Sequence, residues 1–125
     1  MEKLTNCEII IDIGAIEQIS GGNQVFEIVF SAKTGEKYKL LFNYVWDMRC
    51  ATENAFFDRG SKFIRGEKQK NSVYLIENSD YIKYFESQVS GTLPIDELKN
   101  YILFDAVDTV VEVLTLNPPI LEVLP

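Results

Sequence analysis

The chain has 125 residues, 46% hydrophobic and 25% charged, the composition of one folded domain rather than of a disordered segment. Acidic side chains outnumber basic ones 19 to 12, for a net charge of −7, which argues against a general phosphate-backbone binder. There is no histidine, so Ser-His-Asp and Cys-His catalytic arrangements and every His-based metal site are excluded.

Taken in chain order, the first element is Cys7 to Ile13, where Cys7, Ile9, Ile11 and Ile13 alternate with Glu8, Ile10 and Asp12. That period of two predicts a half-buried strand, with a bend or bulge at Gly14. Ser20-Gly21-Gly22-Asn23 is a turn signal, because glycine and asparagine accept positive φ cheaply. Gln24 to Ser31 alternates again, and Lys33-Thr34-Gly35-Glu36 is a second turn. Lys37 to Trp46 is the third strand, with Tyr38, Leu40, Phe42, Tyr44 and Trp46 on one face. Short turns between alternating strands predict an antiparallel meander, since parallel pairing needs a long crossover.

After Trp46 the period changes. Asp47 can cap a helix, and Met48, Ala51, Thr52, Ala55, Phe56, Arg59 and Phe63 follow three- and four-residue spacing. Ser61 to Asn71 reads as a polar, basic loop. Ser72 to Glu77 is a fourth strand, and Asn78-Ser79-Asp80 caps a short helix carrying Tyr81, Ile82, Phe85 and Val89 up to Gly91. Asn100 to Phe104 and Thr109 to Thr115 form a last strand pair around Asp105-Ala106-Val107-Asp108. Pro118-Pro119 stops the sheet, and Ile120 to Val123 is an apolar tail packed back on the body. The expected fold is one α+β domain over residues 1–125. It has an antiparallel sheet of about six strands, order β-β-β-α-β-α-β-β, and one main helix packed on one face.

Cys7 and Cys50 are the only cysteines. They are expected as reduced thiols serving as small core residues. Met1 to Asn6 leads straight into the first strand without a cationic start and apolar stretch, and no apolar run approaches the ~20 residues that span a bilayer. The expectation is a cytoplasmic protein that does not enter membranes.

The charge is uneven. Residues 1–70 hold ten acidic and ten basic side chains. Residues 71–125 hold nine acidic ones (Glu77, Asp80, Glu86, Asp96, Glu97, Asp105, Asp108, Glu112 and Glu122) against Lys83 and Lys99, so 2 − 9 = −7. An acidic surface of this kind can steer a basic partner. The short basic run Arg59, Lys62, Arg65, Lys68 and Lys70 lacks a supporting basic face or aromatic platform, so nucleic acid is not the expected partner.

No GxGxxG, GxxxxGK[ST], CxxC or HExxH pattern occurs. Ser20-Gly21-Gly22 lies between strands and so lacks the helix dipole of a phosphate loop. Asp105, Asp108 and Glu112 could present oxygen ligands to a hard cation, but their spacing matches no EF-hand loop. They read instead as turn chemistry and an acidic contact edge. Arg49 is either an ion-pair partner or an anion contact in a cleft. Tyr74, Tyr81, Tyr84 and Tyr101 fall in the acidic part, and tyrosine beside carboxylates suits protein contacts. The candidate partner-binding residues are therefore Asp80, Tyr81, Tyr84, Glu86, Asp105, Asp108 and Glu112. Arg49 is a possible anion contact, with no catalytic residue, metal or cofactor.

Three stretches carry a resemblance. They are Tyr44-Val45-Trp46-Asp47-Met48-Arg49, Ser79-Asp80-Tyr81-Ile82-Lys83-Tyr84-Phe85, and Asn100-Tyr101-Ile102-Leu103-Phe104 running into Val110-Val111-Glu112-Val113-Leu114 and Pro118-Pro119. The chain resembles small, acidic, intracellular bacterial proteins of uncharacterised families. Several such families act as immunity proteins of polymorphic-toxin and contact-dependent inhibition systems. The resemblance implies a non-catalytic protein that binds and blocks a toxin domain, often a basic nuclease. Two other readings stand beside it. One is a small-molecule-binding or carboxylate-based enzymatic domain, which requires a deep pocket holding Arg49 or a carboxylate pair. The other is a structural assembly subunit using an exposed sheet edge or the tail from Ile120.

Overall fold

The computed structural model describes residues 2–52, 71–89 and 95–125. Among the described residues nine strands form two antiparallel sheets. The strands are β1 (Lys3–Asn6), β2 (Ile13–Gly22), β3 (Val25–Ala32), β4 (Lys37–Phe42), β5 (Val45–Thr52), β6 (Val73–Glu77), β7 (Lys99–Phe104), β8 (Thr109–Thr115) and β9 (Ile120–Val123). Helix α1 (Asp80–Val89) follows β6, and a single 3-10 turn spans Ile95–Glu97. One sheet has the order β1-β6-β7-β8-β5 and the other β2-β3-β4-β9.

The expected single six-stranded sheet with a main helix is therefore replaced by a mostly β fold with two sheets. Two local features account for the difference. First, the continuous strand read over Lys37 to Trp46 breaks at Asn43-Tyr44, where Tyr44 has φ 54°. The chain turns there and passes from the four-stranded sheet into the five-stranded one. Second, Asp47 to Thr52 is strand, not the start of a helix. Its residues pair with β8 in register, Met48 opposite Val113 and Arg49 opposite Glu112. In the strand Met48, Cys50 and Thr52 share one face and Arg49 and Ala51 the other, so the three- and four-residue spacing of Met48, Ala51 and Thr52 is overridden by the sheet pairing. The rest of that expected helix, Glu53 to Phe63, the basic run from Arg59 to Lys70, and Gly91 lie outside the described residues.

Further shifts are smaller. Cys7 to Asp12 is an irregular crossing between the two sheets, not a strand. Side chains supply the pairing that a neighbouring strand would have given. Asn71 accepts from Ile11 N at 3.0 Å and donates to Ile9 O at 3.2 Å, while Ser72 Oγ accepts from Ile13 N at 2.9 Å. The first hairpin turns at Asn23-Gln24, with φ of 53° and 68°, two residues later than the glycine pair suggests. Both φ values are positive, as a two-residue type I′ turn demands. Gly14 does sit at a bulge, between the pairs Ile13–Ala32 and Ala15–Ser31, and a Cβ there would lie 3.2 Å from two strand β3 carbonyl oxygens. The tail from Ile120 is a fully paired strand, β9, on β4.

The core lies between the sheets. Ile28, Phe30, Leu40 and Phe42 of the four-stranded sheet meet Val73, Tyr101, Leu103, Val111 and Val113 of the other. Phe42 and Tyr101 stand edge to face at 5.9 Å. The opposite face of the five-stranded sheet is buried too, through Tyr74, Ile76, Ile102, Phe104 and Val110. A strand buried on both faces needs apolar residues at every position. That is why Tyr101 to Phe104 and Val110 to Leu114 read as near-continuous apolar runs, and why Glu112 stands out within one of them.

Candidate functional site

Helix α1 is seated on the outer face of the five-stranded sheet. Its cap is Ser79, whose Oγ accepts from Ile82 N at 3.0 Å and donates to Asn100 Oδ1 at 2.8 Å. Glu2 adds a carboxylate oxygen that accepts from Asp80 N at 2.9 Å, where the positive end of the helix dipole favours it. Underneath, Tyr81 packs with Leu98 and Leu114, and Ile82, Phe85, Trp46 and Leu116 close around them.

Beside this contact lies the most unusual polar group of the fold. Glu112 points to the outer face of β8, and its side chain is 0% exposed. Arg49, directly opposite on β5, donates to the same Glu112 Oε2 through Nε at 3.0 Å and Nη2 at 2.7 Å. The guanidinium carbon sits 4.0 Å from the centre of the Tyr81 ring, a cation–π contact. The Tyr81 hydroxyl donates to Asp47 Oδ2 at 2.9 Å. Burial first, and the Asp47 carboxylate second, push the Tyr81 pKa well above the usual phenol range, so the hydroxyl stays a donor. Asp47, Arg49, Tyr81 and Glu112 thus form one chain of contacts that fastens β5, β8 and α1 together.

Arg49 retains 36% side-chain exposure, so an edge of it faces solvent, but its other edge is committed to Glu112 and Tyr81. An open pocket of about 350 Å³ lies at the N-terminal end of α1, lined by Thr5, Ile76, Glu77, Ser79, Ile82 and Asn100 among others. Neither Arg49 nor a buried carboxylate pair lines it, so it is not the deep catalytic pocket that a carboxylate enzyme would need.

The candidate residues divide by exposure. Asp80, Tyr84 and Glu86 are exposed on α1, Tyr84 at 62%. Asp108 is half-buried, while Tyr81, Asp105 and Glu112 are buried. Asp105 Oδ1 accepts from Val107 N at 3.0 Å and Thr109 N at 2.9 Å, and its Oδ2 accepts from Ile16 N at 3.1 Å. That carboxylate closes the β7–β8 loop and ties it to β2, across the two sheets. Asp105, Asp108 and Glu112 do not gather around a common point, and among the described residues no group of acidic or thiol side chains is placed to hold a metal ion.

Glu77, Asp96 and Glu97 belong to the acidic excess but not to the candidate contacts. They are exposed around α1 and its following turn. Asp47 lies within strand β5 and caps no helix; it is the acceptor for the Tyr81 hydroxyl. Cys7 is half-buried and Cys50 exposed on β5, so Cys50 is not the core residue expected of it. Both thiols are free, and burial pushes their pKa values up, which keeps them protonated and unreactive near neutrality. No helix among the described residues is long and apolar enough to cross a membrane.

Comparison with known protein families, with curated proteins and with solved structures finds no match.

Proposed function

We propose that the chain is a non-catalytic acidic protein-binding module, an immunity protein that neutralises a basic toxin domain in the cytoplasm by covering its active site. The observation that carries this reading is the exposed surface of α1 and its surroundings. Asp80, Tyr84 and Glu86 are exposed on the helix, and Glu77 before it and Asp96 and Glu97 in the 3-10 turn after it are exposed as well. A rigidly seated helix with a protruding tyrosine and several carboxylates offers apolar area, a hydroxyl and a negative field together. Those are the features that steer and anchor a basic protein.

The binding set is accordingly centred on Asp80, Tyr84 and Glu86. Asp105, Glu112 and Tyr81 support it from inside the fold. The polar cluster around Arg49 favours this reading over acid–base catalysis, because each of its groups is engaged in joining secondary-structure elements. Co-expression with the toxin domain encoded by a neighbouring gene tests the proposal. Restored growth and co-purification are expected; a chain that does neither is not an immunity protein for that toxin.

A further inference from the structure

Strands β6 and β7 separate before either of them ends. Their ladder pairs Val73 with Leu103, Tyr74 with Ile102 and Leu75 with Tyr101, and stops there. Yet β6 runs on to Glu77, and β7 already begins at Lys99. The same register, continued, sets Ile76 opposite Asn100 and Glu77 opposite Lys99. Each side of the resulting gap is held from behind, because β1 pairs with β6 as far as Glu77 and β8 pairs with β7 from Lys99 onward.

The open pocket of about 350 Å³ lies at this gap, with Ile76 and Glu77 on one side and Lys99 and Asn100 on the other. Residues from both faces of the sheet line it. Leu75 belongs to the core between the sheets, whereas Ile76 belongs to the outer face, and Leu98 packs with α1. The volume is that of a small-molecule site.

Three features of the lining select a ligand. The first is an aliphatic wall of Leu75, Ile76, Ile82 and Leu98, with no aromatic side chain among the described lining residues. Leu75 and Ile82 are half-buried and present the accessible part of that wall.

The second is a pair of opposite charges. Glu77 and Lys99 both line the pocket, and both are exposed. Neither forms an ion pair among the described residues, although Lys3 stands opposite Glu77 on β1. Lys99 is one of only two basic side chains in residues 71–125, and the other, Lys83, reaches Asp80 at 3.9 Å.

The third is a buried amide. Asn100 lines the pocket and is 1% exposed. Its Oδ1 accepts from Ser79 Oγ at 2.8 Å, and its Nδ2 donates to Tyr101 O at 3.1 Å. A carboxamide has two N–H donors, and the second has no acceptor among the described residues.

We propose that this gap binds a free α-amino acid with an aliphatic side chain. Its ammonium group meets Glu77, its carboxylate meets Lys99 and the second N–H of Asn100, and its side chain lies against the aliphatic wall. Charge selects this occupant. A simple anion meets Glu77 as a like charge, a simple cation meets Lys99 as one, and a neutral apolar molecule leaves both charges unmatched. A zwitterion carries both signs on one carbon, and charge-assisted hydrogen bonds to each are the strong ones. The end residue of a protein partner carries only one of the two charges, so this inference stands apart from the proposed toxin binding.

Titration of the purified full chain with L-leucine, followed through its amide chemical shifts, tests the proposal. Saturable shifts are expected at Ile76, Glu77, Lys99 and Asn100, with a Kd between about 10 µM and about 1 mM for a ligand of so few atoms. N-acetyl-L-leucine lacks the cation and L-leucinamide lacks the anion, so each should bind about tenfold more weakly or worse. Glu77→Gln should remove the preference for L-leucine over N-acetyl-L-leucine, and Lys99→Gln the preference over L-leucinamide. Both positions are exposed, so both variants keep the fold, which thermal unfolding checks. The absence of saturable shifts up to about 10 mM L-leucine overturns the proposal. So does equal binding of the three compounds, or a preference that both variants retain.

Discussion

Arg49 and Glu112 face each other across β5 and β8, and the guanidinium Nη2 lies 2.7 Å from a carboxylate whose side chain is 0% exposed. The two members are unequally placed. Arg49 is 36% exposed and can be rehydrated if its partner is lost, whereas Glu112 is enclosed by Ile102, Val110 and Leu114 on its own face of the sheet. Removing the arginine should therefore cost more than neutralising the glutamate. Arg49→Ala is expected to destabilise by about 3 kcal/mol, the range for a broken buried pair. Glu112→Gln, which keeps the shape and an acceptor, should cost roughly 1–2 kcal/mol. Urea unfolding of the two single variants measures the order, and equal losses would mean that the charge of Arg49 does not matter to the pair.

Asp105 is a second buried carboxylate with a different task. Three backbone N–H groups, those of Ile16, Val107 and Thr109, donate to it. Asp105→Ala leaves them without their acceptor and should cost about 3 kcal/mol, on the scale of one to three per orphaned buried donor. Asp105→Asn keeps one carbonyl oxygen and should recover part of that. Amide exchange at Ile16 locates the effect, since its protection should fall in both variants.

Tyr44 and Phe42 are neighbours on the same strand-to-strand passage with opposite energetics. Phe42 is 0% exposed in the core between the sheets, and Phe42→Ala should cost about 3–5 kcal/mol. Tyr44 holds a left-handed backbone that costs a side chain roughly 1–2 kcal/mol. Tyr44→Gly relieves that strain but enlarges the unfolded ensemble by up to about 1 kcal/mol. The expected net change is between zero and about 1 kcal/mol of stabilisation. Tyr44→Ala keeps the positive φ without relief and should be the less stable of the two by thermal unfolding.

Alkali should unfold the protein through its tyrosines. Tyr81 is raised in pKa by burial and by its hydrogen bond to Asp47, and Tyr101 by burial and by its 2.8 Å hydrogen bond to Glu8. A folded pKa above the unfolded value means that the folded state holds the proton more tightly. Their contribution is complete below the unfolded phenol pKa of about 10 and falls as pH rises beyond it. Stability measured from pH 8 to 11 should decline at the upper end, and Tyr81→Phe or Tyr101→Phe should make that decline shallower.

Charge reversal separates the exposed acidic residues from the buried ones. Glu86→Lys should leave stability nearly unchanged, because surface substitutions usually move it by less than about 0.5 kcal/mol, while Asp80→Lys, which puts a cation at the positive end of the α1 dipole, should cost about 1 kcal/mol. They should slow association with a basic toxin domain, most strongly at low salt. Asp105→Lys instead places a cation where three N–H groups converge and should unfold the chain. Stopped-flow association at two ionic strengths checks the first pair, and circular dichroism the last.

Strand identity was legible where a strand has one wet face or none. Gln24 to Ser31 alternates because it covers the core on one side, and the runs in β7 and β8 announced themselves by being apolar throughout. The helix from Asp80 was legible because its cap and its inward residues are local. Asp47 to Thr52 misled because six residues with apolar side chains at mixed spacing satisfy both periods. Only the ladder with β8 decides between them. Likewise, nothing in the order Asp105, Asp108, Glu112 distinguishes a carboxylate in solvent from one that closes a loop or faces an arginine. The difference lies in contacts 89 residues apart for Ile16 and Asp105, and 63 apart for Arg49 and Glu112.

By itself, the sequence determined an acidic chain without histidine, its hairpin-forming regions, the location of its charge excess and its short helix. These follow from side-chain chemistry and local backbone preference. Tertiary structure alone decided that the strands divide into two sheets, that β5 is a strand, and which carboxylates remain exposed. Each of those outcomes depends on pairing and burial between residues far apart in the chain, where the enclosure of Glu112 and the exposure of Glu86 are set by neighbours that local pattern does not name.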